Sequence, residues 1–98
     1  MTAKQLLDRK QQRMKMLQRE LGRVGPVMRG SVVIIGSRNK QPYFSLNKDK
    51  KTRLIYLGKV RERMARQYVA NYQRLKNIVE EMTELNMVLL QRDYDQVN

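Results

Sequence analysis

Apolar residues recur at helical spacing near both ends of the chain and alternate with polar ones in the middle. Over residues 3–21, Leu7, Met14 and Leu21 repeat every seven positions, with Leu6 and Leu17 near them on one face. That spacing predicts an amphipathic helix. Lys10 falls on the same face, where its stem can run out along the seam. Gly22 follows the last periodic leucine and suits a C-terminal cap. The stretch "GRVGPVMRG" then punctuates a connection with three glycines and a proline.

Period two takes over at Ser31. "SVVII" is β-branched and apolar and predicts a first strand, with Gly36 to Lys40 as a loop. "YFSLNKDKKTRLIYLG", from Tyr43 to Gly58, predicts a hairpin. A register pairing Phe44 with Leu54 also pairs Leu46 with Thr52 and Pro42 with Tyr56. One face then carries Phe44, Leu46, Thr52, Leu54 and Tyr56, an apolar set suited to a core. The other carries Tyr43, Ser45, Asn47, Lys51, Arg53 and Ile55, and is polar and basic.

From Lys59 to about Gln91 there is neither Gly nor Pro, and Met64, Tyr68, Leu75, Ile78, Met82, Leu85 and Leu89 are spaced as a heptad seam. Asn71 occupies one seam position, where a polar residue can set register or partner number. The expected fold is α+β in a single domain, residues 1–98: a helix over 3–21, a three-stranded antiparallel sheet over 31–57, a long helix over 59–91 and a tail over 92–98. The two helices are expected to pair as an antiparallel hairpin carrying the sheet at one end. At about 1.5 Å per residue the first helix is roughly 28 Å long and the second roughly 50 Å. The first therefore cannot cover all of the second. Asn71, Leu75, Ile78, Met82, Leu85 and Leu89 are the expected partner interface, in a homodimer or a larger protein complex.

Charge changes this picture of a small packed domain. The 98 residues carry 21 Lys and Arg against 9 Asp and Glu, a net charge of +12. A field of that sign attracts polyanions, nucleic acid first among them. The charge is uneven: residues 25–60 hold eight basic residues and one acidic, whereas residues 77–98 hold one basic and five acidic. There is no cysteine and no histidine. That removes disulfides, thiolate metal sites and the usual general base. No phosphate loop, metal motif or activated nucleophile is present, so neither catalysis nor a cofactor is expected. Glu80, Glu81 and Glu84 form a carboxylate cluster on the long helix, with Glu80 and Glu84 four positions apart, which reads as a solvated acidic face. The apolar runs are too short to span a bilayer, and residues 1–13 lack the apolar run of a signal peptide. A soluble, cytoplasmic protein is expected.

A two-stranded ribbon can enter the major groove with one face toward the bases. On the expected register that face holds Tyr43, Ser45, Lys51 and Arg53. Arg53 is the candidate for bidentate contact with guanine, and Lys48 and Lys50 at the tip reach phosphates. Arg38 and Lys40 precede the second strand. Lys59, Arg63 and Arg66, with Arg74 beyond them, continue the basic surface along the long helix. The expectation is a non-enzymatic nucleic-acid-binding protein, with double-stranded DNA ahead of RNA because few aromatics are available for stacking. The alternative is a protein-interaction module, an adaptor or inhibitor acting through the heptad helix.

The order of "GPVMRGSVV", "PYFSLNKDKKTRLIYLGK" and "NYQRLKNIVEEMTELNMVLL" resembles a small uncharacterised prokaryotic family, a domain of unknown function often met beside transposase genes. The matching positions are Gly30-Ser31, Pro42-Tyr43-Phe44, Lys51-Thr52, and Asn71-Tyr72 with Leu75, within roughly residues 22–90. Many members of that family have cysteines between the first two strands at zinc-like spacing. This chain has only Gly36 to Gln41 there, so a metal role does not carry over. The resemblance implies a setting linked to mobile elements, with an accessory or regulatory part. The "RLIYLG" stretch is more weakly similar to the three-stranded arm-type DNA-binding domains of tyrosine recombinases, which lack a long heptad helix.

Overall fold

The computed structural model describes residues 2–97, with side chains through residue 92. The elements run α1 (Ala3–Gly22), β1 (Ser31–Ile35), β2 (Gln41–Lys48), β3 (Lys51–Tyr56) and α2 (Gly58–Val97). The fold is therefore α+β: an N-terminal helix, a three-stranded antiparallel sheet in the order β1-β2-β3, and a long C-terminal helix. The stretch expected as a tail is helical through Val97; Asn98 lies outside the described residues.

Thr2 opens α1 with a capping box. Its hydroxyl accepts from Gln5 N at 3.2 Å, and the Gln5 side chain accepts from Thr2 N at 2.9 Å. Two backbone donors that the helix cannot serve are satisfied this way. Gly22 is not the cap; it is the last helical residue. Arg23 ends the helix, its N–H donating to the Glu20 carbonyl at 3.0 Å, while the Val24 N–H donates to the Leu21 carbonyl at 3.4 Å.

The chain divides into two compact units, residues 1–24 with 75–98 and residues 25–74. The first unit is helical. Leu17 is 1% exposed and lies in a cluster with Val24 and Ile78, against which Leu75, Met82 and Leu85 pack. Of the leucines expected on the α1 seam, Leu6 and Leu21 remain exposed. Arg13 Nε donates to Glu81 Oε2 at 2.6 Å and its Nη2 to Glu81 Oε1 at 3.0 Å, a bidentate pair. These hydrogen bonds hold the Glu81 carboxyl below its ordinary pKa, against desolvation and with help from the Arg13 charge. A depressed carboxylate adds stability above its unfolded pKa, and that contribution is lost as pH falls through the folded value. Thermal melts between about pH 6 and pH 3 are expected to show a stability loss, beginning near pH 4.3, that is reduced in Glu81→Gln. Identical pH profiles for the two chains would exclude the pair as the source.

The second unit packs one face of the sheet on the first half of α2. Phe44, Leu57 and Ala65 form its buried cluster, with Met28, Val32, Leu46 and Val69 against it. The seam here runs through Ala65 and Val69, and Met64 is left exposed. Asn71 is used inside this unit: its Nδ2 donates to the Pro26 carbonyl at 2.9 Å and its Oδ1 accepts from Gln67. With Met28 N donating to the Tyr68 carbonyl at 3.1 Å, two bonds tie the connection before β1 to α2.

The hairpin register differs by one residue from the expected one. Phe44 faces Ile55, Leu46 faces Arg53 and Tyr43 faces Tyr56. Lys48 faces Lys51 across a two-residue turn, in which Asp49 and Lys50 both take positive φ, 54° and 62°. Two consecutive left-handed residues match the twist of the strands and make this tight connection. Because side chains alternate, the one-residue difference moves every β3 side chain to the opposite face. Among the described residues no helix is long and apolar enough to cross a membrane.

Candidate nucleic-acid interface

The hairpin register redistributes the expected contact residues. Tyr43 and Ser45 share the outer face, opposite the Phe44 core, with Thr52, Leu54 and Tyr56. Arg53, Lys51 and Ile55 lie on the face of Phe44 and Leu46. Thr52, Leu54 and Tyr56, expected in the core, are thus outward, and Arg53, expected outward, is on the packing side at the open β3 edge. Adding β1, the outer face consists of Ser31, Val33, Ile35, Gln41, Tyr43, Ser45, Asn47, Thr52, Leu54 and Tyr56. None of these ten bears a charge at neutral pH. Tyr43 and Tyr56 meet edge to face with ring centres 5.6 Å apart. Tyr56 Oη donates to Gln41 Oε1, and Thr52 Oγ1 to Asn47 Oδ1.

Cations gather instead at the two ends of the sheet. At the turn end are Lys48, Lys50 and Lys51, joined by Arg29, whose Nη1 donates to the Asn47 carbonyl at 3.3 Å. Arg29 had no signal in the strand pattern, because it precedes β1; only its hydrogen bond across to β2 brings it to the tip. At the other end are Arg38 and Lys40, in the loop from β1 to β2, and Lys59, just beyond β3. Lys40 and Lys48 are eight positions apart along β2, roughly 26 Å at about 3.3 Å per residue. The structure does not bring the two sets together into one ribbon tip.

Along α2, Lys59, Arg63 and Arg66 are exposed. Arg66 Nε is engaged by Glu62 Oε2 at 2.9 Å, which offsets part of its charge. Arg63 and Lys59 flank a shallow groove with Val60 and Met64. Arg61 Nε donates to the Leu57 carbonyl at 2.9 Å. An open apolar cleft of about 220 Å³, lined by Met28, Phe44, Ile55, Leu57, Met64 and Tyr68 among others, lies beside these residues.

Unit by unit, residues 25–74 contain twelve basic and two acidic residues, so they hold a net +10 of the chain's +12. The expected partner-interface residues Leu75, Ile78, Met82 and Leu85 are in or against the chain's own Leu17 cluster, and Leu89 is half-buried. Asn71 is tied to Pro26. Among the described residues no group of three or more acidic side chains is arranged to hold a metal ion. Compared with known proteins, the chain matches no family model, no curated protein and no solved structure.

Proposed function

We propose that this chain is a non-enzymatic nucleic-acid-binding protein that contacts duplex DNA chiefly through phosphates. The observation that carries the reading is the concentration of charge. Residues 25–74 hold a net +10, with exposed cations at both ends of one sheet and on the first turns of α2. Lysines at a turn suit point contacts with phosphates. An outer sheet face without cations argues against dense base readout by arginine, so affinity is expected to exceed sequence selectivity. The resemblance to the transposase-adjacent family supports a setting linked to mobile elements and an accessory or regulatory role there.

The helical unit has a supporting part in this proposal. Arg13 pairs with Glu81 and Leu17 clusters with Ile78, so rising positions in α1 meet falling positions in α2. That order supports an antiparallel helical hairpin. A second reading, a protein-interaction module, is favoured by Met87 and Leu90, which are 63% and 69% exposed near the acidic residues Glu80 and Glu84.

A salt titration tests the proposal. Binding to short duplexes of unrelated sequence is expected to weaken linearly in log Kd against log salt, with a slope of about 0.9 per phosphate neutralised. RNA of the same length is expected to bind less tightly. Absence of binding at low salt would sink the reading.

A further inference from the structure

We propose that the free edge of β3 pairs with β3 of a second copy of this chain, antiparallel and centred on Leu54, to form a six-stranded sheet. The inference does not rest on nucleic-acid binding.

The hydrogen-bonding phase of β3 follows from one bond. Leu57 N donates to the Pro42 carbonyl at 3.1 Å. In an antiparallel ladder, bonded and non-bonded pairs alternate. Ile55, Arg53 and Lys51 therefore direct their backbone groups toward β2, and Tyr56, Leu54 and Thr52 direct theirs away from it. β3 is an edge strand, and all six of its residues are exposed. Natural edges are commonly protected by lysine, proline, a bulge or a covering element. Here both cations of β3, Lys51 and Arg53, occupy positions bonded inward. The three positions open to a new strand are Thr52, Leu54 and Tyr56, none of them charged, with Leu54 and Tyr56 51% and 49% exposed.

This edge is complementary to itself in one register. A new pairing must match outward positions with outward positions, so the register can slip only by two residues. Centred on Leu54, Leu54 faces Leu54, Tyr56 faces Thr52, Ile55 faces Arg53 and Leu57 faces Lys51. No cation faces a cation, and the Arg53 stem lies against Ile55. One slip sets Arg53 against Arg53, where like charges destabilise the pair. The opposite slip sets Thr52 against Gly58, the first residue of α2. β1, the other edge, is shorter, with Val32 and Val33 partly covered. In the Leu54-centred sheet the uncharged outer faces of both copies also become continuous, so the joined face carries no like-charge contacts.

The chain contains no cysteine, which makes the register directly testable. Directly opposed, hydrogen-bonded positions have Cα atoms about 5.5 Å apart, inside the range of about 4.4–6.8 Å that a disulfide spans. Leu54→Cys is expected to form a disulfide-linked dimer under mild oxidant at least tenfold faster than Val60→Cys, whose site on α2 is 77% exposed. Sedimentation velocity of the unmodified chain is expected to show a monomer–dimer equilibrium. Leu54→Lys, which brings two ammonium groups together at the axis, is expected to weaken it at least tenfold with an unchanged circular-dichroism spectrum. The proposal is overturned by a chain that stays monomeric up to its solubility limit. It is equally overturned by a dimer indifferent to Leu54→Lys, or by equal cross-linking at positions 54 and 60.

Discussion

Phe44→Ala is expected to lower the unfolding free energy by about 3–5 kcal/mol, the usual range for truncating a buried aromatic ring. Phe44 is 6% exposed and is the largest side chain in the cluster that joins the sheet to α2. Its ring lies against Gly30: a Cβ built there would stand 2.6 Å from Phe44 Cζ and 2.7 Å from the Ser45 carbonyl. With φ at +144°, Gly30 is also in a backbone region that disfavours other residues. The ring thus fills a space that a glycine on the neighbouring segment leaves open. Removing it leaves a void in this packed cluster, and the loss grows with the volume the surroundings fail to refill. Urea unfolding followed by far-ultraviolet circular dichroism measures the effect. A loss below about 1 kcal/mol, the scale of an ordinary surface substitution, would mean that Phe44 is not the keystone of this unit.

Neutralising Lys48, Lys50, Lys51 and Arg53 together is expected to weaken duplex binding by on the order of a hundredfold or more near 0.1 M salt. The log–log salt slope is expected to fall by as much as about 3.6, at about 0.9 for each phosphate no longer neutralised. All four residues are exposed, so the replacements leave the buried cluster intact. The comparison chain changes Arg38 and Lys40, which sit at the opposite end of the sheet. If only the turn end touches DNA, that pair changes little. If both ends touch it, each set lowers the slope in proportion to its cations. Binding indifferent to the fourfold change would refute the assignment of phosphate contact to the hairpin.

Much of this fold is legible in the sequence, and the failures have local causes. The strands begin and end within a residue or so of the alternation because Gly30, Gly36 and the Asp49-Lys50 pair interrupt it. The register is not legible there. A two-residue hairpin turn is normally announced by Asn-Gly or Asp-Gly, whereas this turn places Lys50 in the left-handed region, where a non-glycine residue is uncommon. The outward position of Leu54 and Tyr56 follows from this two-residue turn. The largest side chains of the seam, Met64 and Tyr68, point to one helix face, but the helix meets the sheet through the smaller Ala65 and Val69. In the sequence Asn71 reads as a register device, because its acceptor, the Pro26 carbonyl, is 45 positions away. The seam residues Leu75 to Leu85 are expected at a partner interface because α1 is too short to cover all of α2, whereas Leu17, on the apolar face of α1, covers this very stretch.

The two units also differ in how far along the chain their contacts reach. The sheet joins neighbours in sequence through one connection of five residues and one of two. The helical unit joins Arg13 to Glu81, 68 positions apart. Short loops close at small entropic cost and long ones at more, so local contacts form first. During synthesis the leucines of α1 leave the ribosome well before Ile78 exists to cover them. The local contacts of residues 25–74 do not wait on that partner. For that interval the nascent chain displays an amphipathic helix without its partner, and that is when a chaperone would find it.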